Sequence, residues 1–146
     1  MRGMQVRTLS KAVAISAAGL AAATVIGCGS SGPTPVQVGQ EWYRATAAGD
    51  GSKLCKLSTA SRRLRFIELA KRLPGGATGA GTCPAAVELT LKHFGGAARL
   101  GKFAHVHIRL LSQTKTTAEV QAENAAPLQL VRSGSSWLVS GAAPRS

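Results

Sequence analysis

Acidic residues are scarce in this chain: 6 Asp and Glu stand against 18 Lys and Arg, a formal net charge of +12. Aromatics are also few, at 4% of 146 residues, so any core must rest mainly on Leu, Val and Ala. That length suits one small domain with one core. The apolar run Ala12 to Gly27 carries no charge and has 16 residues. A membrane-spanning helix needs about 20, and no basic stop follows this run. No GxSxG, Walker loop or HExxH is present, so the familiar hydrolase, nucleotide-binding and zinc-protease signatures are missing. There are three cysteines and no CxxC.

What is present begins at the front. Arg2, Arg7 and Lys11 precede the apolar run, and Gly27 and Cys28 close it. A basic head, an apolar middle and small residues at the end describe a secretory signal. No twin-Arg pair precedes it, which favours the general export route. Val25-Ile26-Gly27-Cys28 resembles the lipobox of bacterial lipoproteins: an aliphatic residue three before the cysteine, a small residue directly before it, then the cysteine. Val in place of the commoner Leu is a mild departure. The resemblance implies a diacylglycerol thioether on Cys28 and cleavage between Gly27 and Cys28. It places residues 28–146 on the extracytoplasmic face of a cell membrane. Residues 1–27 are then the signal, 28–33 a lipidated Gly/Ser/Pro tether, and 34–146 the folded domain.

This address changes how the charge is read. Beyond the signal the chain keeps 15 basic and 6 acidic residues. In a cytosolic protein that excess would point to nucleic acid. Outside the membrane the available anions are lipid headgroups and envelope polymers, and nucleic acid is not expected.

With Cys28 assigned to lipid, Cys55 and Cys83 remain as an even pair in an oxidising compartment, and a disulfide is expected. By the chain-entropy model a loop of this length is worth roughly 3–4 kcal/mol. A metal site would need more ligands, and His93, His105 and His107 show no ligand-like spacing to either cysteine.

Thr34-Pro35-Val36-Gln37 reads as a helix start with a capping box, and Gly49 as its stop. Asp50 can cap a short helix holding Leu54, Cys55 and Leu57. A third helix is expected over Ala60 to Leu73, and Pro74 to Thr82 as a loop without helix. Cys83-Pro84 opens a helix with Val87, Leu91 and Phe94 on one face, ended by Gly95-Gly96. The period then becomes two. Ala104, Val106, Ile108 and Leu110 alternate with Phe103, His105, His107 and Arg109, and Ala118, Val120 and Ala122 alternate with polar partners. In simple register, Arg109 would face Glu119 and His105 would face Glu123, unless a bulge at Leu110-Leu111 shifts the pairing. Leu128–Val131 and Trp137–Val139 supply further strand, giving an α+β plan.

The order of these parts resembles the NTF2-like superfamily as found in small actinobacterial lipoproteins. The matching segments are Trp42-Tyr43 leading to Ala47-Ala48-Gly49-Asp50-Gly51, Cys55 leading to Ser58-Thr59-Ala60-Ser61-Arg62, Cys83-Pro84-Ala85-Ala86, Thr117-Ala118-Glu119-Val120 and Ser136-Trp137-Leu138-Val139. The resemblance implies a cone, with N-terminal helices packed on a curved antiparallel sheet and often enclosing a pocket. Some members are isomerases or cyclases that use a pocket carboxylate, so the fold alone licenses no reaction.

A pocket enzyme needs an inward acid or His with a partner. Glu41, Glu68 and Glu88 read as solvated helix residues and Asp50 as a cap. Glu119, Glu123, His105 and His107 fall on the polar strand face. No catalytic residue, metal site or cofactor is assigned. The most notable surface feature is the cluster Arg62, Arg63, Arg65, Lys71 and Arg72, expected on a helix and suited to an anionic surface. The expectation is a membrane-anchored, non-enzymatic binding or accessory module, with no protein partner specified. The alternative is a small-molecule pocket protein or a degenerate isomerase-like enzyme.

Overall fold

The computed structural model describes residues 32–142. The signal segment, Cys28 and residues 29–31 of the tether lie outside the described residues, as do residues 143–146. Within them the chain is α+β: helices come first and a four-stranded antiparallel sheet follows.

Helix α1 (Pro35–Ala48) starts as its sequence dictates. The Thr34 hydroxyl accepts from the Gln37 N–H at 3.3 Å, and the Gln37 side chain accepts from the Thr34 N–H at 2.8 Å. Pro35 stands at the first helical position, where no N–H is needed. Gly49 ends the helix with φ 69°, a left-handed conformation that glycine adopts without a Cβ penalty. Asp50 caps α2 (Gly51–Lys56) by accepting from the Lys53 N–H at 2.8 Å. Thr59 caps α3 (Ala60–Lys71), and α5 (Cys83–His93) begins at the Cys83-Pro84 pair.

The sheet is a meander of β1 (Ile108–Gln113), β2 (Thr117–Ala122), β3 (Leu128–Ser133) and β4 (Ser136–Ala142), in that spatial order. Alternation puts Ile108, Val120, Leu130, Trp137 and Val139 on the inner face, all buried. Helix α1 lies on that face through Val38, Trp42 and Ala45. The approach is close at Gly39, where an added Cβ would stand 2.9 Å from Val120 Cγ2 and 3.2 Å from Ile108 Cγ2. The linker between α2 and α3 runs along β4: the Thr59 N–H donates to the Val139 carbonyl at 3.1 Å, and the Val139 N–H to the Leu57 carbonyl at 2.7 Å. Ser58 is buried there and donates to the Leu54 carbonyl at 2.7 Å.

Cys55 and Cys83 form a disulfide with Cα atoms 6.1 Å apart, joining α2 to the start of α5. A second small cluster of Ala70, Ala80 and Ala86, with Phe66, Ile67 and Leu89 against it, joins α3 to α5.

Three sequence expectations are corrected. The stretch expected as pure loop holds a single helical turn, α4 (Gly76–Gly79), because Ala80 beyond it is buried against Ala70 and Ala86. Gly95-Gly96 ends α5 but not the helical region: α6 (Gly96–Leu100) and a 3₁₀ helix (Gly101–His105) follow. Phe103 packs on Tyr43, ring centroids 5.6 Å apart, and this contact with the helix layer overrides the two-residue alternation. The first strand therefore begins at Ile108 and not near Phe103.

The register also differs from the simple pairing. Arg109 faces Gln121, donating from Nη2 to Oε1 at 2.7 Å, and a bulge between Leu110 and Ser112 sets Ser112 opposite Glu119. The bulge anticipated at Leu110-Leu111 is real; it shifts the pairing by one residue, and the hairpin, closed at Gln113 opposite Ala118, sets the rest of the difference. His105 lies in the 3₁₀ helix and has no strand partner.

Candidate functional site

The basic cluster lies on α3, as its helix-forming run Arg-Arg-Leu-Arg-Phe-Ile-Glu-Leu-Ala-Lys favours. Helical spacing then divides the residues. Arg62, Phe66 and Ala70, four apart, fall on one face and turn inward. Arg63, Arg65, Lys71 and Arg72 are exposed, and Lys71 bonds Glu68 at 3.0 Å in a pair that is itself solvated. Leu64 (64% exposed) and Leu69 (42%) sit among them, so the outer face of α3 mixes cations with apolar side chains.

Arg62 is different from the other four. Its guanidinium carbon stands 5.0 Å from the Trp42 ring centroid and 5.1 Å from that of Phe66. Those two rings stack at 6.2 Å with 19° between their planes. Burial first, and then the charge of Arg65, hold the Arg62 guanidinium below the ordinary arginine pKa. Its Nε is buried with no hydrogen-bond partner. Arg62 therefore does not belong to the exposed cluster: it covers Trp42 and closes the core. The i, i+4 relation of Arg62 to Phe66 was the sequence signal for this role.

The remaining candidates are dispersed. Asp50, Glu68, Glu88 and Glu123 are exposed and Glu41 and Glu119 partly so, while His93, His105 and His107 are all exposed. Glu41 pairs with Lys53 at 3.4 Å on the surface. Among the described residues no three His, Cys, Asp or Glu side chains gather as a metal site. An imidazole and a carboxylate share one open groove, of about 420 Å³ on the outer sheet face, where His107 and Glu123 flank Arg109 and Gln121. A second groove, of about 240 Å³, runs between the end of α1, α5 and α6, with Leu91, Leu100, Ala48 and Ala97 in its walls. Among the described residues no helix is long and apolar enough to cross a membrane.

No protein-family model, curated protein or solved structure matches this chain. The fold defines an architectural class: a disulfide-braced α+β domain with its helices on one face of a four-stranded meander.

Proposed function

We propose that the chain is a lipoprotein precursor whose domain, NTF2-like in plan, serves as a non-enzymatic accessory module. It is held at the extracytoplasmic face of a cell membrane by lipid on Cys28. The observation that carries this reading is the division of the cysteines. Cys55 and Cys83 are bonded to each other, which leaves Cys28, at the end of a signal-like run, as the odd one. A disulfide suits an exported domain. Stable anchoring takes two or more acyl chains at about 0.8 kcal/mol per buried CH₂, and a diacylglyceryl group supplies two.

The binding reading is favoured over the pocket enzyme by two features. The inner sheet face is filled by α1 down to the Gly39–Val120 contact, and the acids and histidines lie at the surface. The binding surface on this reading is the outer face of α3, where Arg63, Arg65, Lys71 and Arg72 suit an anionic partner such as an envelope polymer.

The test is Cys28→Ser. The expected result is loss from the membrane fraction or accumulation of unprocessed precursor. Normal processing with unchanged membrane fractionation overturns the assignment.

A further inference from the structure

The position of Gly32 on the fold gives the domain an orientation. Gly32 lies against the turn between β3 and β4: a Cβ added to Gly32 would collide with the Ser135 carbonyl oxygen. That turn is joined to the turn between β1 and β2, because the Arg132 N–H donates to the Thr116 carbonyl at 2.8 Å. The two hairpin turns and Gly32 thus share one end of the molecule.

Both turns are built rather than loose. The Thr114 hydroxyl accepts from the N–H groups of Thr116 and Thr117 at 3.2 and 2.9 Å, and the Thr114 N–H donates to the Thr117 carbonyl at 2.8 Å. This turn carries Lys115 at its tip, exposed. In the other turn Arg132 donates from Nε to the Gly134 carbonyl at 3.2 Å and lies 5.7 Å from the Trp137 ring centroid. Segments 112–117 and 131–136 hold no Asp or Glu.

Cys28 stands four residues before Gly32. A fully extended chain covers at most about 3.6 Å per residue, so Gly32 reaches no more than roughly 14 Å from the cysteine. That is less than two Debye lengths of about 8 Å each. The opposite end, at Gly49, is a further helix length away, about 21 Å for the 14 residues of α1.

We propose that the β1–β2 and β3–β4 turns form the membrane-facing end of the domain, with Lys115 and Arg132 against anionic phospholipid headgroups. The proposal rests on the lipid-anchor reading and adds to it the face that meets the bilayer. Tether length selects this end, although α3 holds the denser charge.

The test uses the mature lipoprotein in vesicles of phosphatidylcholine and phosphatidylglycerol that contain some headgroup-nitroxide lipid. The readout is paramagnetic broadening of backbone amide signals. Broadening is expected first at residues 114–116 and 133–135, with Gly49 and Asp50 spared. Strongest broadening at Arg63–Arg72 or at Gly49, or uniform broadening, overturns the proposal. Raising the phosphatidylglycerol fraction should increase the effect at the turns, and Lys115→Gln should reduce that increase. An undiminished response in Lys115→Gln rules out the Lys115 contact. Mass analysis of the Cys28 peptide separates the two readings: an unmodified Cys28 overturns both, and a lipidated Cys28 with unbroadened turns overturns this one alone.

Discussion

The guanidinium of Arg62 lies 5.0 Å from the Trp42 ring centroid, beside Phe66, with its Nε buried and unpartnered. The chain keeps a cation over one of its two tryptophans without a hydrogen bond to that nitrogen. What Arg62 contributes is therefore stacking and the cover of its aliphatic stem.

This separates two substitutions. Arg62→Ala removes both contributions, uncovers Trp42, and should cost about 1–2 kcal/mol. Arg62→Met keeps an apolar cover and removes a desolvated charge, so it should stay within about 1 kcal/mol of the parent. Denaturant midpoints at unchanged m measure both. Equal losses for the two variants would show that charge, not cover, is what matters there.

The disulfide yields a second prediction. Cys55 is buried and Cys83 partly buried, and their bond ties α2 to α5. Replacing both by Ala releases the loop between them and should lower unfolding free energy by roughly 3–4 kcal/mol. Denaturant unfolding of the oxidised parent and of the double variant checks this. A thiol assay on the unfolded, unreduced parent with Cys28 modified should find no free thiol at these positions.

Helix caps were the legible part of the fold. Thr34, Gly49, Asp50 and the Cys83-Pro84 start act through neighbours within a few residues, and each stands where its local chemistry placed it. The misread segments depend on distant partners. Phe103 was drawn out of a strand pattern by Tyr43, 60 positions earlier in the sequence, and Ala80 drew a helical turn into a Gly-rich loop by packing on Ala70 and Ala86. The basic cluster on α3 was legible as a run of charges. Its division into one core-covering arginine and four exposed cations depends on where Trp42 sits, and charge content does not encode that.

Gly39 supplies a third prediction because it sets how closely α1 rides on the sheet. In Gly39→Ala the new Cβ meets Val120 Cγ2 at 2.9 Å and Ile108 Cγ2 at 3.2 Å, so the helix must lift or the side chains must shift. Overpacking of this kind costs about 1–3 kcal/mol, partly offset by the gain of about 0.5–1 kcal/mol from replacing Gly by Ala in a helix. Removing the Val120 methyls relieves the nearer contact. Gly39→Ala with Val120→Ala should therefore lose less stability than the two single losses added together, with a coupling of about 0.5 kcal/mol or more. A double-mutant cycle measures it. Strict additivity would mean that helix and sheet separate freely at this point.

Tyr43 gives a prediction in pH, and its signal is clean because it is the only tyrosine. Burial raises its phenol above the ordinary value of 10.0. The hydroxyl faces the Ala126 carbonyl at 3.4 Å, and the ring packs on Phe103. A raised folded-state pKa means that the unfolded chain loses this proton first as pH rises. The folded state then binds more protons than the unfolded one, so stability falls with pH over that interval. The tyrosine contribution is fully present below pH 10 and is lost as pH climbs from the unfolded value through the folded one. Tyrosinate absorbance should titrate later in the native protein than in the denatured one. Tyr43→Phe should remove this component of the alkaline loss of stability while keeping the ring contact with Phe103. Native and denatured titration curves that coincide would contradict the burial of Tyr43 against the 3₁₀ helix.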